Sequence, residues 1–191
     1  MTVLSVLIPT VGGREDMLHQ VKTACEQTVP GCEVLIVYGF SWGEGLNQLA
    51  TVAKGDYWSC CCDDTVPLPG WFEAGRALVD EGLTPASRYL NVDGSPLKHG
   101  WDDAPHRKVL DWCRSFLLTP AIYADVGPFI DATWYTDIDY SERLRKSGRE
   151  IVACDGYAFT HLGGERTWLT TEVCRREEEA YWDSHRAQGI A

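Results

Sequence analysis

The chain opens on an apolar, β-branched run, Val3 to Ile8, stopped by Pro9. Without polar alternation, such a run predicts a strand buried on both faces. Gly12-Gly13 then breaks the chain, Glu15 and Asp16 suit a helix N-terminus, and Leu18, Val21 and Cys25 form an apolar stripe ended by Pro30, so a helix is predicted. Cys32 to Val37 predicts a second buried strand. Leu46, Leu49, Ala50 and Ala53 recur at i, i+3, i+4 and i+7 before Gly55, the spacing of one helical face. Tyr57 to Cys61 predicts a third strand, and Trp71 to Val79, opened by Pro69, a third helix.

Strand, helix, strand, helix, strand is the pattern of parallel βαβ units with right-handed crossovers. The fold class expected is therefore α/β, a mixed and mostly parallel central sheet flanked by helices. Ligands in such sheets bind at the carboxyl ends of the strands. Those ends are Pro9-Thr10, Tyr38-Gly39 and Cys62-Asp63-Asp64.

Glu81 to Asp111 lacks a clear period and reads as loops and short strands. Ser115 to Leu118 predicts a strand. Thr119-Pro120 and Gly127 bracket a short helix by N-cap, first-turn proline and C-terminal glycine. A helix is predicted over Thr136 to Lys146, closed by Gly148, then strands over Ile151 to Cys154 and Ala158 to Thr160, and a charged helix from Thr170 to about Arg186. The expected organisation is one domain over residues 1–168 with a C-terminal helix, 169–191, packed on it.

Composition narrows the function. The 191 residues are 45% hydrophobic and 24% charged, as in a folded globular chain. A formal charge of −11 opposes broad capture of nucleic acid or anionic membrane. A diphosphate approaching an acidic site needs a divalent cation between. No basic residue precedes the first apolar run and no run approaches the ~20 apolar residues of a membrane span, so a cytoplasmic protein is expected. Eight cysteines without a CxxC pair read as reduced thiols, several of them small buried hydrophobes.

Three places carry candidate chemistry. Asp63-Asp64 ends a strand and precedes Thr-Val-Pro-Leu-Pro-Gly-Trp, so its hard oxygen donors suit Mg²⁺ or Mn²⁺ bearing a diphosphate, or else are solvated turn residues. Asp137 and Asp139 open a helix, where Thr136 would cap and both acids would complement the dipole, which would keep Asp137 ionised. His161, after a β-rich segment and before Leu162-Gly163-Gly164, is a structural histidine or a metal ligand.

In order and spacing these segments resemble the family 2 glycosyltransferases, an inverting group with the GT-A (Rossmann-like) fold. Val6-Leu-Ile-Pro-Thr10 resembles the family's opening strand, and Asn47 with Ala53-Lys-Gly-Asp-Tyr57 its Asn and Ala-x-Gly-Asp-Tyr segment. Cys62-Asp63-Asp64-Thr65 with Pro69-Gly-Trp71 resembles the DxD-type motif and its Pro-Gly-Trp. Val126-Gly-Pro-Phe129 resembles Val-Gly-Gly-Phe, Thr136-Asp-Ile-Asp the Glu-Asp-x-Asp helix, and His161-Leu-Gly-Gly the late metal-ligand His. The resemblance covers about residues 3–164.

It implies a sugar transferred from a nucleotide-diphosphate donor to an acceptor hydroxyl. Pro9, Thr10, Arg14, Tyr38, Asn47, Asp63 and Arg166 would serve the donor nucleotide and its phosphates. Asp64 and His161 would ligate a metal, Mn²⁺ over Mg²⁺ because imidazole suits the softer ion. Asp137 would be the general base. Trp101, Asp139 and Trp168 are the candidate acceptor contacts. The sequence departs from the family at Cys62, where the first DxD acid belongs, at Tyr38-Gly39, where acids help recognise the base, and at Thr136, which replaces a Glu. A retaining GT-A transferase, a nucleotidyltransferase and a catalytically degenerate nucleotide-sugar-binding module are the rival readings.

Overall fold

The computed structural model describes residues 3–97, 104–163 and 172–187. Its first sheet has the order β2-β1-β3-β7. β1 (Leu4–Thr10) lies parallel to β2 (Glu33–Tyr38) and to β3 (Tyr57–Cys60), while β7 (Phe116–Leu118) runs antiparallel to β3. The connections are α1 (Glu15–Thr28) and α2 (Trp42–Ala50). A second sheet has the order β4-β8-β5, where β4 is Thr65–Pro67, β5 is Thr84–Leu90 and β8 is Ile151–His161, with β6 (Val109–Leu110) also on β8. α3 (Trp71–Asp80), α4 (Pro120–Val126), α5 (Thr136–Lys146) and α6 (Glu172–Ala187) complete the described elements. The chain is thus a mixed α/β fold with a mostly parallel first sheet flanked by helices.

β1 explains why apolar residues run on without alternation. Leu4, Val6 and Ile8 enter the core shared with α1 and α3, whereas Leu7 enters the core shared with α2, α5 and β7. Every residue of β1 is buried, Pro9 included. Pro9 therefore lies inside the strand rather than stopping it. β2, expected to be buried, is the half-buried edge of the sheet.

α1 buries the stripe Leu18, Val21 and Cys25 and follows Gly12 and Gly13, whose φ of +84° and +76° glycine adopts without strain. α2 begins earlier than its apolar stripe suggested, because the Ser41 hydroxyl accepts from Glu44 N–H at 3.2 Å. Gly43 is required there: a Cβ would lie 1.8 Å from the Ile130 carbonyl oxygen.

Two further elements differ from expectation. Residues 84–90 form a seven-residue strand, hidden from periodicity by Pro85, Ser87 and Arg88. The two short strands expected at 151–154 and 158–160 are one strand, β8. Its register with β5 shifts between Ala86 and Arg88, so that Ala153 pairs with Ala86 and Ala158 with Arg88. The chain between bulges outward, exposing Asp155 and Gly156. No helix among the described residues is long and apolar enough to cross a membrane.

Candidate functional site

Thr10, at the end of β1, and Asp63-Asp64, just after β3, meet at the carboxyl edge of the first sheet. Thr10 Oγ1 donates to Asp63 Oδ2 at 2.5 Å and accepts the Gly12 N–H at 3.1 Å. Arg14, at the N-cap of α1, donates from one guanidinium nitrogen to Asp63 Oδ1 at 3.2 Å and Asp64 Oδ2 at 3.0 Å. Asp63 and Asp64 are only 7% and 4% exposed, so this cation answers a buried acidic pair.

The second sheet delivers His161. Thr65 on β4 pairs with His161 on β8, and the Leu162 N–H donates to the Asp64 carbonyl at 2.8 Å. His161 Nε2 then stands 3.6 Å from Asp64 Oδ2. Burial raises the Asp64 carboxyl pKa above its ordinary value, opposed by the His161 and Arg14 charges and reinforced by Asp63. Gly163 lies so close that a Cβ there would be 2.9 Å from Asp64 Oδ2.

Could this pair hold a divalent ion? A carboxylate oxygen and an imidazole nitrogen suit Mn²⁺, and their 3.6 Å separation matches two ligands at about 2.0–2.2 Å from one ion. Among the described residues no cluster of three or more His, Cys, Asp or Glu is placed to hold a metal, so these residues supply at most two ligands. Arg14 shares Asp64 Oδ2 and would have to yield it to the ion.

Asp137 lies in the first turn of α5. Its carboxyl pKa is pushed up to about 6, chiefly by burial, while its Oδ1 accepts the Ile138 N–H at 2.9 Å and the Arg114 charge pulls the pKa down. The helix dipole does not keep it in the ordinary range, so desolvation outweighs the N-terminal position. Thr136 is not the cap either. Tyr135 occupies that place with φ +63°, and the Thr136 hydroxyl donates to the Ala132 carbonyl at 2.7 Å. The half-buried Cys62 thiol feels Asp64, Asp63 and Asp137 together, and burial with these charges raises its pKa far above normal. All three acids therefore lie close enough to act on Cys62.

Two residues of this site carried no signal in the sequence. The Tyr89 ring on β5 stacks on His161, centroids 5.8 Å apart and planes 22° apart. The Arg114 guanidinium sits 5.1 Å from the centroid of the Tyr89 ring and also acts on Asp137. A chain His161, Tyr89, Arg114, Asp137 thus joins the histidine to the base candidate. Both came from the segment whose periodicity was uninformative or from its margin.

The remaining expected residues divide. Tyr38 ends β2 beside Thr10 and is 55% exposed, open to a flat ligand ring. Pro9 is buried, with its ring against the place where a Gly45 side chain would be. Asn47, expected at the nucleotide, makes a structural tie: its amide donates to the Phe129 carbonyl and accepts from the Phe129 N–H and Tyr123 hydroxyl, all at 2.9 Å. Asp139 accepts from Arg143 at 2.6 and 2.8 Å. Arg166, Trp101 and Trp168 lie outside the described residues. The seven described cysteines are free thiols.

No protein-family model and no curated protein sequence matches the chain. Among solved structures it is similar to residues 1–349 of the S. aureus glycosyltransferase TarS, with TM-score 0.64 and 11% identity. The match covers 85% of this chain and 61% of that one, so the chain spans less than two thirds of the TarS structure. At that identity the likeness is one of fold alone, a mixed α/β fold.

Proposed function

We propose that the chain is a glycosyltransferase that takes a nucleotide-diphosphate sugar at the carboxyl edge of β1, β2 and β3 and passes the sugar to an acceptor hydroxyl with inversion. The observation that carries this is the buried Asp63-Asp64 pair, held between Arg14 and His161 at that edge. Tyr38 supplies an exposed ring for the base, in place of an acid at the end of the second strand. Thr10 orients Asp63 toward the ribose, and Arg14 and Arg114 offer charge to the phosphates.

A divalent ion, Mn²⁺ in preference to Mg²⁺, would be held by Asp64 and His161 and would neutralise the departing diphosphate. The protein's own part is proton transfer. The acceptor oxygen forms its bond to the sugar's anomeric carbon, the carbon–oxygen bond to the diphosphate breaks with its electron pair leaving on phosphate, and Asp137 takes the acceptor's proton. A carboxyl with a pKa of about 6 is ionised at neutral pH yet basic enough for that task.

The test is a thermal-shift screen of nucleotide sugars with and without Mn²⁺, followed by anomeric analysis of the product. A nucleotide sugar should stabilise the wild type in a Mn²⁺-dependent manner and should fail to do so in Asp64→Ala. Equal stabilisation of both proteins would refute the assignment of Asp64. Retention of configuration would refute Asp137 as the base of a single displacement.

A further inference from the structure

The helix that carries Asp137 begins without a side-chain cap. Its N-cap residue, Tyr135, makes no side-chain hydrogen bond to the first turn and holds a left-handed φ of +63°. Among the described residues other than glycine, only Arg107 shares a positive φ. A bulky residue keeps such a conformation only where its surroundings impose it. The loop before Tyr135 is held from two sides. On one side, Gly43 of α2 donates its N–H to the Ala132 carbonyl at 3.0 Å, and the Ser41 hydroxyl donates to Asp131 at 2.6 Å.

On the other side stands α6. One oxygen of Glu177, Oε2, accepts the N–H groups of Thr133 and Trp134 at 3.0 and 2.7 Å. Successive backbone N–H groups of this kind make a seat for an anion. The Tyr181 ring stacks on Tyr135 with centroids 4.9 Å and planes 24° apart, and Trp182 meets the same ring edge-on at 6.5 Å. Glu177 and Tyr181 are four residues apart, so one face of α6 makes both contacts. α6 thus grips three consecutive residues, 133 to 135, and Asp137 is two residues further on. The residue between is fixed as well: Thr136 is fully buried and its hydroxyl donates to the Ala132 carbonyl at 2.7 Å. A displacement of residue 134 is therefore passed on to Asp137.

We propose that Glu177 is a positioning residue for Asp137, its two hydrogen bonds holding the loop that sets where that carboxylate stands. The inference rests on the transferase reading for its catalytic meaning, whereas the hold on Asp137 can be measured without turnover. Substitution separates a tether from a charge: Gln keeps an oxygen that accepts both N–H groups and drops the charge, and Ala drops both. Misplacing a reacting group by about 1 Å can cost on the order of 10² in rate, even from a substitution remote from the chemistry.

The experiment compares the full wild-type chain with Glu177→Ala, Glu177→Gln and Tyr181→Leu. Carboxyl-carbon NMR, assigned with Asp137→Asn, follows the titration of Asp137, whose pKa burial pushes up to about 6. The titratable and charged groups that face Asp137 are Arg114, Cys62, Cys113 and Tyr181, and the Glu177 variants leave all four in place. In Glu177→Ala the titration should fall by about one unit or more as the carboxylate gains water, and in Glu177→Gln it should stay within about 0.3 unit of wild type. Tyr181→Leu loosens the same loop by another route, should move the titration in the same direction as Glu177→Ala, and decides the matter if Glu177→Ala does not fold. In Mn²⁺-dependent release of sugar from UDP-glucose, GDP-mannose and dTDP-glucose, Glu177→Ala should lower kcat about tenfold or more with KM within about twofold, and the loss should vanish once Asp137 is Asn. The inference is overturned if Glu177→Ala leaves the titration unmoved, if Gln moves it as far as Ala, or if the loss of kcat persists beside Asp137→Asn. A wild type that releases no sugar while the titrations behave as described would instead overturn the transferase reading and leave the hold on Asp137 standing.

Discussion

Replacing Arg14 with alanine should tighten Mn²⁺ binding, even though it removes a residue from the proposed donor site. One guanidinium nitrogen lies 3.2 Å from Asp63 and 3.0 Å from Asp64, and the Arg14 side chain is 26% exposed while the carboxylate side chains are buried. Unit charges about 4 Å apart contribute about 4 kcal/mol at an effective dielectric constant of 20. Partial exposure of the guanidinium screens this to about 1–2 kcal/mol. A divalent ion on Asp64 and His161 must displace that contact or tolerate a cation beside it, so the same energy opposes the ion. Its removal should tighten Mn²⁺ about 5–30-fold, at tenfold per 1.4 kcal/mol. A nucleoside diphosphate, deprived of the guanidinium, should bind more weakly to the same variant. The assay is Mn²⁺ titration by electron paramagnetic resonance, with Arg14→Lys as the charge-retaining control. Unchanged or weaker Mn²⁺ binding in Arg14→Ala would refute the competition, and an absence of Mn²⁺ binding in both proteins would refute Asp64 and His161 as ligands.

Asp137→Asn should bind donor normally but transfer sugar on the order of 10²–10⁴ more slowly, and wild-type transfer should decline as the pH falls through about 6. The same substitution should stabilise the fold. A carboxyl pKa raised from 3.8 to about 6 means the folded chain holds that proton more tightly, so stability is lost as the pH rises through this window. Asn removes the half-buried charge, so at pH 7.5 a gain of about 1–2 kcal/mol is expected, visible as a higher Tm, and a lower Tm would contradict it. Gly43→Ala should destabilise by about 3 kcal/mol or more, because its Cβ would lie 1.8 Å from the Ile130 carbonyl oxygen; a loss under about 1 kcal/mol in urea unfolding would show that the helix shifts freely. Cys60→Ala and Cys61→Ala, both at fully buried positions, should each cost about 1–2 kcal/mol through lost packing, and the purified wild type should lack stoichiometric zinc by elemental analysis.

The chain's local elements were largely legible because their causes are local. The stripe Leu18, Val21 and Cys25 is buried as its spacing requires, and the helix of residues 136–146 ends before Gly148, whose φ is +86°. The parallel arrangement of β1, β2 and β3 followed from the alternation of strands and helices, and it put Asp63-Asp64 at the strand ends. Periodicity failed where burial is two-sided or polar. β5 buries Thr84 and Ser87, so it has no apolar pattern, and β8 reads as two strands because its bulge exposes Asp155 and Gly156.

What joins the site is decided by pairing between distant strands. Sequence marks Asp64 and His161 as separate candidates, but only the antiparallel register of β4 on β8 sets His161 opposite Thr65 and within 3.6 Å of Asp64. Sequence places Asp137 at a helix N-terminus and so favours its charge; packing buries it beside Cys62 and Cys113, and desolvation wins. Asn47 shows the reverse limit, a polar residue that looks free along the chain until tertiary folding brings Phe129 and Tyr123 to its amide. Residue type and spacing determine which groups are available and which elements carry them. The distances between those groups, and the dielectric in which they titrate, arise only when the two sheets and α5 pack together, because both depend on neighbours remote in sequence.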